Sequence, residues 1–188
     1  KQSWTNPAIR VNLQWAVTEN SNLYATYSEG YKAGGFQHDA RNIDAFNIFI
    51  EPEDMTNIEI GWKGSYERAI FAITAFETEQ ENSQVGLLLA VGSGNANMVF
   101  NAASTESTGI ELEGTFAITD NFQIVGNVGI YDAEFGPGSK VGAIFDPSGK
   151  IVPSGDDLTA ERPTNSPEET WALWGSYDCA FARGPNPR

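Results

Sequence analysis

Along this chain the connections between strand-like runs are by turns short and long, without exception. The first run interleaves Ile9, Val11, Leu13, Trp15 and Val17 with Arg10, Asn12, Gln14, Ala16 and Thr18. A period of two describes a strand with one apolar and one polar face. After the turn Glu19-Asn20-Ser21-Asn22 comes Leu23 to Tyr27, continuing toward Tyr31. The third run, Asn57 to Tyr66, sets Ile58, Ile60 and Trp62 against Glu59 and Lys63. A tight turn near Glu67-Arg68 leads into Ala69 to about Thr78, whose face stays open because Phe71-Ile73-Ala75 and Ile70-Ala72-Phe76 are both apolar. Thr108 to Ile118 opposes Ile110, Leu112 and Phe116 to Glu111, Glu113 and Thr115. After Thr119-Asp120-Asn121 the sixth run carries Phe122, Ile124, Val128 and Ile130 on one side, and the seventh spans Thr170 to Ala182. No helical period competes, so the chain is predicted to be all-β, an up-and-down antiparallel meander of about seven strands.

The long connections run from about Gly34 to Met55, Glu79 to Ser107 and Gly136 to Glu169. In a barrel this rhythm puts every tight turn at one end and every long loop at the other, as in outer-membrane barrels. The strand lengths agree, since a tilted membrane-crossing strand needs about 9–11 residues. Tyr24, Tyr27, Tyr31, Tyr66, Phe122 and Tyr131 fall close to the expected boundaries, where an aromatic girdle would lie. The expectation is therefore the wall of a transmembrane β-barrel. A soluble antiparallel sandwich is the alternative on pattern alone, because its strands alternate too.

Composition removes other classes. Eleven Lys plus Arg against 25 Asp plus Glu give a net charge of −14, which repels nucleic acid. One cysteine, Cys179, excludes an internal disulfide, and one histidine, His38, excludes every two-histidine metal motif. No stretch approaches the roughly 20 apolar residues of a membrane helix. Lys1 to Pro7 is polar and opens without Met, as a piece of a longer chain would.

Several segments resemble one family. Asn22-Leu23-Tyr24-Ala25-Thr26-Tyr27-Ser28-Glu29-Gly30-Tyr31-Lys32-Ala33-Gly34-Gly35-Phe36 is similar to a stretch common in TonB-dependent receptors. Pro52-Glu53 followed by Thr56-Asn57-Ile58-Glu59-Ile60-Gly61-Trp62-Lys63, then Ser107-Thr108-Gly109-Ile110-Glu111-Leu112-Glu113, then Tyr131-Asp132-Ala133-Glu134-Phe135, resemble stretches of the same family in family order. The resemblance covers roughly residues 9 to 135 and again 170 to 182. It implies a wall segment of a 22-stranded barrel, as in outer-membrane transporters. It further implies the Gram-negative outer membrane as location, outer-membrane lipid around the wall, and energy-coupled uptake of a scarce large nutrient. A ferric siderophore is the substrate the family suggests, and the TonB complex the partner, contacted through a plug. Residues 1–182 then form a partial barrel without plug or TonB-contacting box. Residues 183–188 form a tail, and truncation or a reading-frame break is expected after about Asp178. A surface or soluble β-domain that binds a ligand or carbohydrate without transport is the competing reading, and a small eight-stranded barrel a third.

For the site, Glu59, Lys63, Glu111 and Glu113 are expected to face the lumen. Phe36, His38 and Asp39, in the first long loop, are the candidate ligand contacts. The backbone at Gly34-Gly35 is expected to leave the strand through unusual dihedrals. No catalytic residue, cofactor or metal is expected. Glu111 and Glu113 have the i, i+2 spacing that paired-carboxylate glycoside chemistry can use, but charge facing a wet lumen explains both. Gly92-Ser93-Gly94 lacks the Lys-Ser/Thr of a phosphate loop. Asp156-Asp157 falls short of the six to eight oxygens about a calcium ion.

Overall fold

The computed structural model describes residues 3–37, 49–91, 94–145 and 151–179. Eleven strands follow in order: β1 (Arg10–Thr18), β2 (Ser21–Lys32), β3 (Gly35–Phe36), β4 (Phe49–Ile50), β5 (Glu53–Tyr66), β6 (Ala69–Val91), β7 (Gly94–Thr119), β8 (Phe122–Phe135), β9 (Lys140–Phe145), β10 (Ile151–Asp157) and β11 (Glu169–Tyr177). Seven make one antiparallel sheet in the order β1-β2-β5-β6-β7-β8-β11, and β3-β4 and β9-β10 are small separate ladders inserted in two connections. The main sheet is the expected meander, each strand paired with the next strand of the sheet in chain order.

Register settles which side chains share a face. Leu13 pairs with Ala25, Ala25 with Ile60, Ile60 with Ala75, Ala75 with Ile110 and Ile110 with Ile130. The next row joins Trp15, Leu23, Trp62, Ile73, Leu112, Val128 and Trp171. Partners across a ladder lie on one face, so these residues make a continuous apolar surface. β6 thereby contributes Phe71, Ile73 and Ala75 to it, which decides the face that the sequence left open. Among the described residues nothing covers this surface: Ile60 is 61 %, Ile110 58 % and Ile130 61 % exposed. A sandwich would pack a second sheet there, and among the described residues no second layer exists.

The apolar surface has defined ends. Toward the tight turns Trp62 meets Phe71 edge-on at 5.0 Å, and Tyr66 stacks on Phe71 at 6.2 Å. Toward the long connections the same face turns acidic, in a row pairing Glu29 with Thr56, Thr56 with Glu79, Glu79 with Glu106 and Glu106 with Glu134. Tyr27 and Tyr31 share that face, as a girdle requires. Tyr24 and Tyr131 do not. Alternation puts them on the polar face, which corrects their assignment to the girdle.

Two of the three tight turns share a chemical device. Thr18 and Thr119 each accept a bond at Oγ1 from the backbone N–H two residues on, of Asn20 at 3.2 Å and Asn121 at 3.3 Å. Threonine hydroxyls close turns in this way. Arg68 of the middle turn reaches Asp120 of the next, so the turns lie side by side at one end.

The largest departure from expectation is Glu79 to Ser107. It is not a loop: β6 runs 23 residues and β7 26, paired through Val91 and Gly94. The low hydrophobicity of Glu79 to Ser83 hides the strand, because its partners there are other polar chains. The last strand is also shorter than expected, ending at Tyr177, with Asp178 and Cys179 outside it. Phe181, Ala182 and the tail 183–188 lie outside the described residues, as do Asp146-Pro147-Ser148-Gly149 and Gly92-Ser93.

Among the described residues the buried apolar side chains are Ile50, Met98 and Phe100. All three sit in or against the outer part of the β6–β7 arm. Among the described residues the apolar interior thus lies at the arm, and the wall itself has two faces and no apolar core.

Candidate functional site

Opposite the apolar surface lies the polar face of the wall. Glu59, Lys63, Glu111 and Glu113 all alternate with apolar-face residues, and cross-strand pairing joins Glu59 to Thr26 and Phe76, Lys63 to Asn22 and Ala72, and Glu113 to Ala72 and Asn127. Lys63 and Glu113 stand two strands apart across Ala72. Lys63 Nζ lies 4.9 Å over the ring of Tyr24, a cation held against a π-face. A cleft of about 680 Å³ opens on this face near the tight turns, lined by Lys63, Ile70, Ala72, Glu113, Asn127 and Trp174 among others.

Sequence reading missed the aromatic network here. Tyr24 lies flat across Gly61, its cross-strand partner, and its hydroxyl meets Thr74 Oγ1 at 2.9 Å, one strand further on. Tyr131 crosses Gly129 and donates to Glu111 Oε1 at 2.9 Å, while Thr170 Oγ1 lies 3.3 Å from the same hydroxyl. Phe76 covers Gly109. A Cβ on Gly61, Gly109 or Gly129 would collide with these rings. The signal was present in the sequence as glycines on the polar face of otherwise good strands, which marks a close approach.

The second candidate surface is the cluster of long connections. Phe36 is packed in it, 6.1 Å from Trp4 and 5.0 Å from Phe49 between ring centres, and is half-buried. His38 and Asp39 lie outside the described residues. Neither Gly34 nor Gly35 adopts positive φ; Gly34 is required instead because a Cβ would strike Ile50 O and the Trp4 ring. The fully buried Gln37 donates from Nε2 to Val99 O and accepts from Val99 N at 2.9 Å. It thus behaves as one more rung on β7.

The β9–β10 ladder is closed at its base by Asp157, which accepts from Thr159 Oγ1 at 2.6 Å and Thr159 N at 3.0 Å, with Lys140 Nζ at 3.2 Å. These partners engage both carboxylate oxygens, Thr159 at Oδ1 and Lys140 at Oδ2. The Thr159 hydroxyl first, then its N–H and Lys140, lower the Asp157 pKa from 3.8 to about 2. A lowered pKa favours the folded loop above the ordinary carboxylate value, and that advantage disappears as pH falls through the folded value. The Thr159 amide resonance should therefore titrate with a midpoint near 2, and an Asp157→Asn chain should lose the transition. A midpoint at the ordinary value would show that Asp157 is not engaged.

A family model described as TonB dependent receptor-like, beta-barrel matches residues 1–185. PiuA of Acinetobacter baumannii, described as "Probable TonB-dependent siderophore receptor PiuA", is 25% identical over 177 residues, covering 89% of this chain and 22% of PiuA. Among solved structures, the ferric yersiniabactin uptake receptor FyuA from Yersinia pestis superposes with a TM-score of 0.64 at 16% identity, over 93% of this chain and 23% of FyuA. The crystal structure of PiuA gives 0.63 at 22%, over 89% and 23%. This chain thus spans under a quarter of the length of these relatives.

Proposed function

Since the chain belongs to the TonB-dependent receptors, β-barrel proteins of the Gram-negative outer membrane, we propose that it is one stretch of barrel wall and loop roots in a receptor that takes up a ferric siderophore. The observation that carries this reading is the single-layer sheet with an apolar and a polar face. Its apolar face has aromatics at the turn end and an acidic row at the loop end. Lipid covers the band between them, since a hydrocarbon core tolerates no charge cheaply. The acidic row of Glu29, Glu79, Glu106 and Glu134 lies beyond it, outside the hydrocarbon.

On this reading residues 1–182 belong to the barrel and 183–188 to a tail. Glu59, Lys63, Glu111 and Glu113 face the lumen, where their charges stay hydrated. Phe36 stands on the external side, where a chelate arrives, and His38 and Asp39, which lie outside the described residues, are the further candidate contacts. The wall offers shape and charge to a cargo, and coupling to TonB passes through parts of the receptor outside this chain. The named relatives support the siderophore class, because PiuA is described as a siderophore receptor and FyuA as a ferric yersiniabactin uptake receptor.

The test is uptake. The full-length receptor, placed in a strain without its own siderophore receptors, should import radiolabelled iron from at least one ferric siderophore, and deletion of TonB should abolish that import. Uptake of a saccharide or cobalamin, with none of any ferric chelate, would move the cargo to another class. Uptake unaffected by TonB deletion would remove the energy coupling.

A further inference from the structure

The β6–β7 arm leaves the wall through an irregularity. Gln80 pairs with Thr105, but the next pairs are Ser83 with Ala103 and Gln84 with Asn101. Glu81 and Asn82 lie opposite the single residue Ser104, so β6 carries one extra residue there, β7 carries one extra at Ala102, and Asn82 takes the left-handed conformation at φ 54°. A bulge of this kind bends a strand and increases its twist. Left alone, it would let the arm swing about its root.

One side chain spans the break. Glu53 opens β5, immediately after Pro52, and its side chain is only 17% exposed. Its Oε1 accepts from Gln80 Nε2 at 2.6 Å, before the bulge, and its Oε2 accepts from Gln84 N at 2.8 Å, after it. Lys32 Nζ stands 3.8 Å from Oε2 and balances the charge. Both donors bond an ionised acceptor, the stronger class of hydrogen bond. Past the bulge the arm is tied to the first long connection. Gln84 Nε2 donates to Ala33 O and Glu51 O, at 3.1 and 3.0 Å. Asn101 exchanges bonds with Glu51, N to Oδ1 and Nδ2 to O, both at 2.9 Å, and also donates to Asn82 O at 2.7 Å.

We propose that Glu53 is a positioning residue that locks the β6–β7 arm at one angle to the barrel wall and thereby sets the external surface that receives the cargo. The bulge supplies the bend, and the carboxylate fixes it by holding the strand on both sides. Its role in binding rests on the siderophore reading; its role in holding the arm does not. A glutamine cannot substitute, because its single acceptor oxygen satisfies one donor and its NH₂ group confronts the other.

The experiment uses the full-length receptor carrying Glu53→Gln or Glu53→Ala, with amide exchange and titration by a panel of ferric siderophores. Exchange at Gln84 and at Met98 to Asn101 should accelerate about tenfold to a hundredfold, the effect of losing one hydrogen bond to a charged group. Amides of Thr56 to Gly64 in β5 should not change, and affinity should fall roughly tenfold in both variants. Unchanged exchange at Gln84, or acceleration spread evenly over the wall, would overturn the clamp. Local acceleration with undiminished affinity would overturn the role in binding. If the unaltered receptor binds no ferric siderophore while exchange still accelerates locally, the cargo reading fails and the clamp stands.

Discussion

Refolded alone in plain buffer, residues 1–188 should aggregate, and detergent should rescue them only in part. Two features of the sheet cause this. β1 pairs with β2 alone and β11 with β8 alone, so each leaves one edge of N–H and C=O groups unpaired among the described residues. Exposed flat edges are templates for pairing between chains. The apolar face adds a second drive, because Leu13, Trp15, Ile60, Ile110, Trp171 and Leu173 belong to one uncovered surface, with Trp171 76% exposed. Soluble monomers rarely show contiguous apolar patches above a few hundred Å². Detergent covers the face and leaves the edges open, which is why the rescue is partial. Sedimentation in buffer and in detergent measures both effects. A monodisperse monomer in plain buffer would overturn the membrane-wall reading. The same preparation should bind no ferric siderophore tightly, since the loops stand on a wall that is not closed.

The second large effect is a charge on the apolar face. Leu112 lies near the middle of the band, between Ile73 and Val128. Leu112→Arg in the full-length receptor should destabilise the barrel by about 2–4 kcal/mol, the cost of a basic side chain near the bilayer midplane. Glu113→Ala, one residue on but on the opposite face, should shift stability by no more than about 0.5 kcal/mol. Denaturant titration in lipid vesicles, followed by the gel shift of folded barrel, reads both. Equal costs at the two positions would mean that the faces are misassigned. The comparison is sensitive because adjacent residues on one strand differ in environment and hardly at all in position.

How much of this was legible in the sequence follows from the range of each interaction. Period-two alternation is local: each strand reports its own two faces, and Ile58-Glu59-Ile60 does so within three residues. The tight turns were equally legible, since Thr18-Glu19-Asn20 and Thr119-Asp120-Asn121 carry their own closing hydroxyls. The number and order of strands in the main sheet and the apolar face of the wall therefore came from sequence, and the family motifs gave the membrane and the class of barrel. The ambiguous strand from Ala69 onward did not, because both of its faces are apolar; only its register against Trp62 and Leu112 chose Ile73 for the outside. The β6–β7 arm was missed for a related reason. Glu79 to Ser83 is polar on both faces, and its extended form is fixed by partners distant in the chain, Glu53 and Thr105 above all. Tyr24 and Tyr131 were assigned to the wrong surface because proximity to a boundary does not report direction, whereas the bare backbone of Gly61 and Gly129 across or beside them does. Local repulsion and burial write the wall into the sequence. The arm, its clamp and the rings over glycine exist only once remote strands meet, because each depends on an acceptor or a vacancy supplied by another strand.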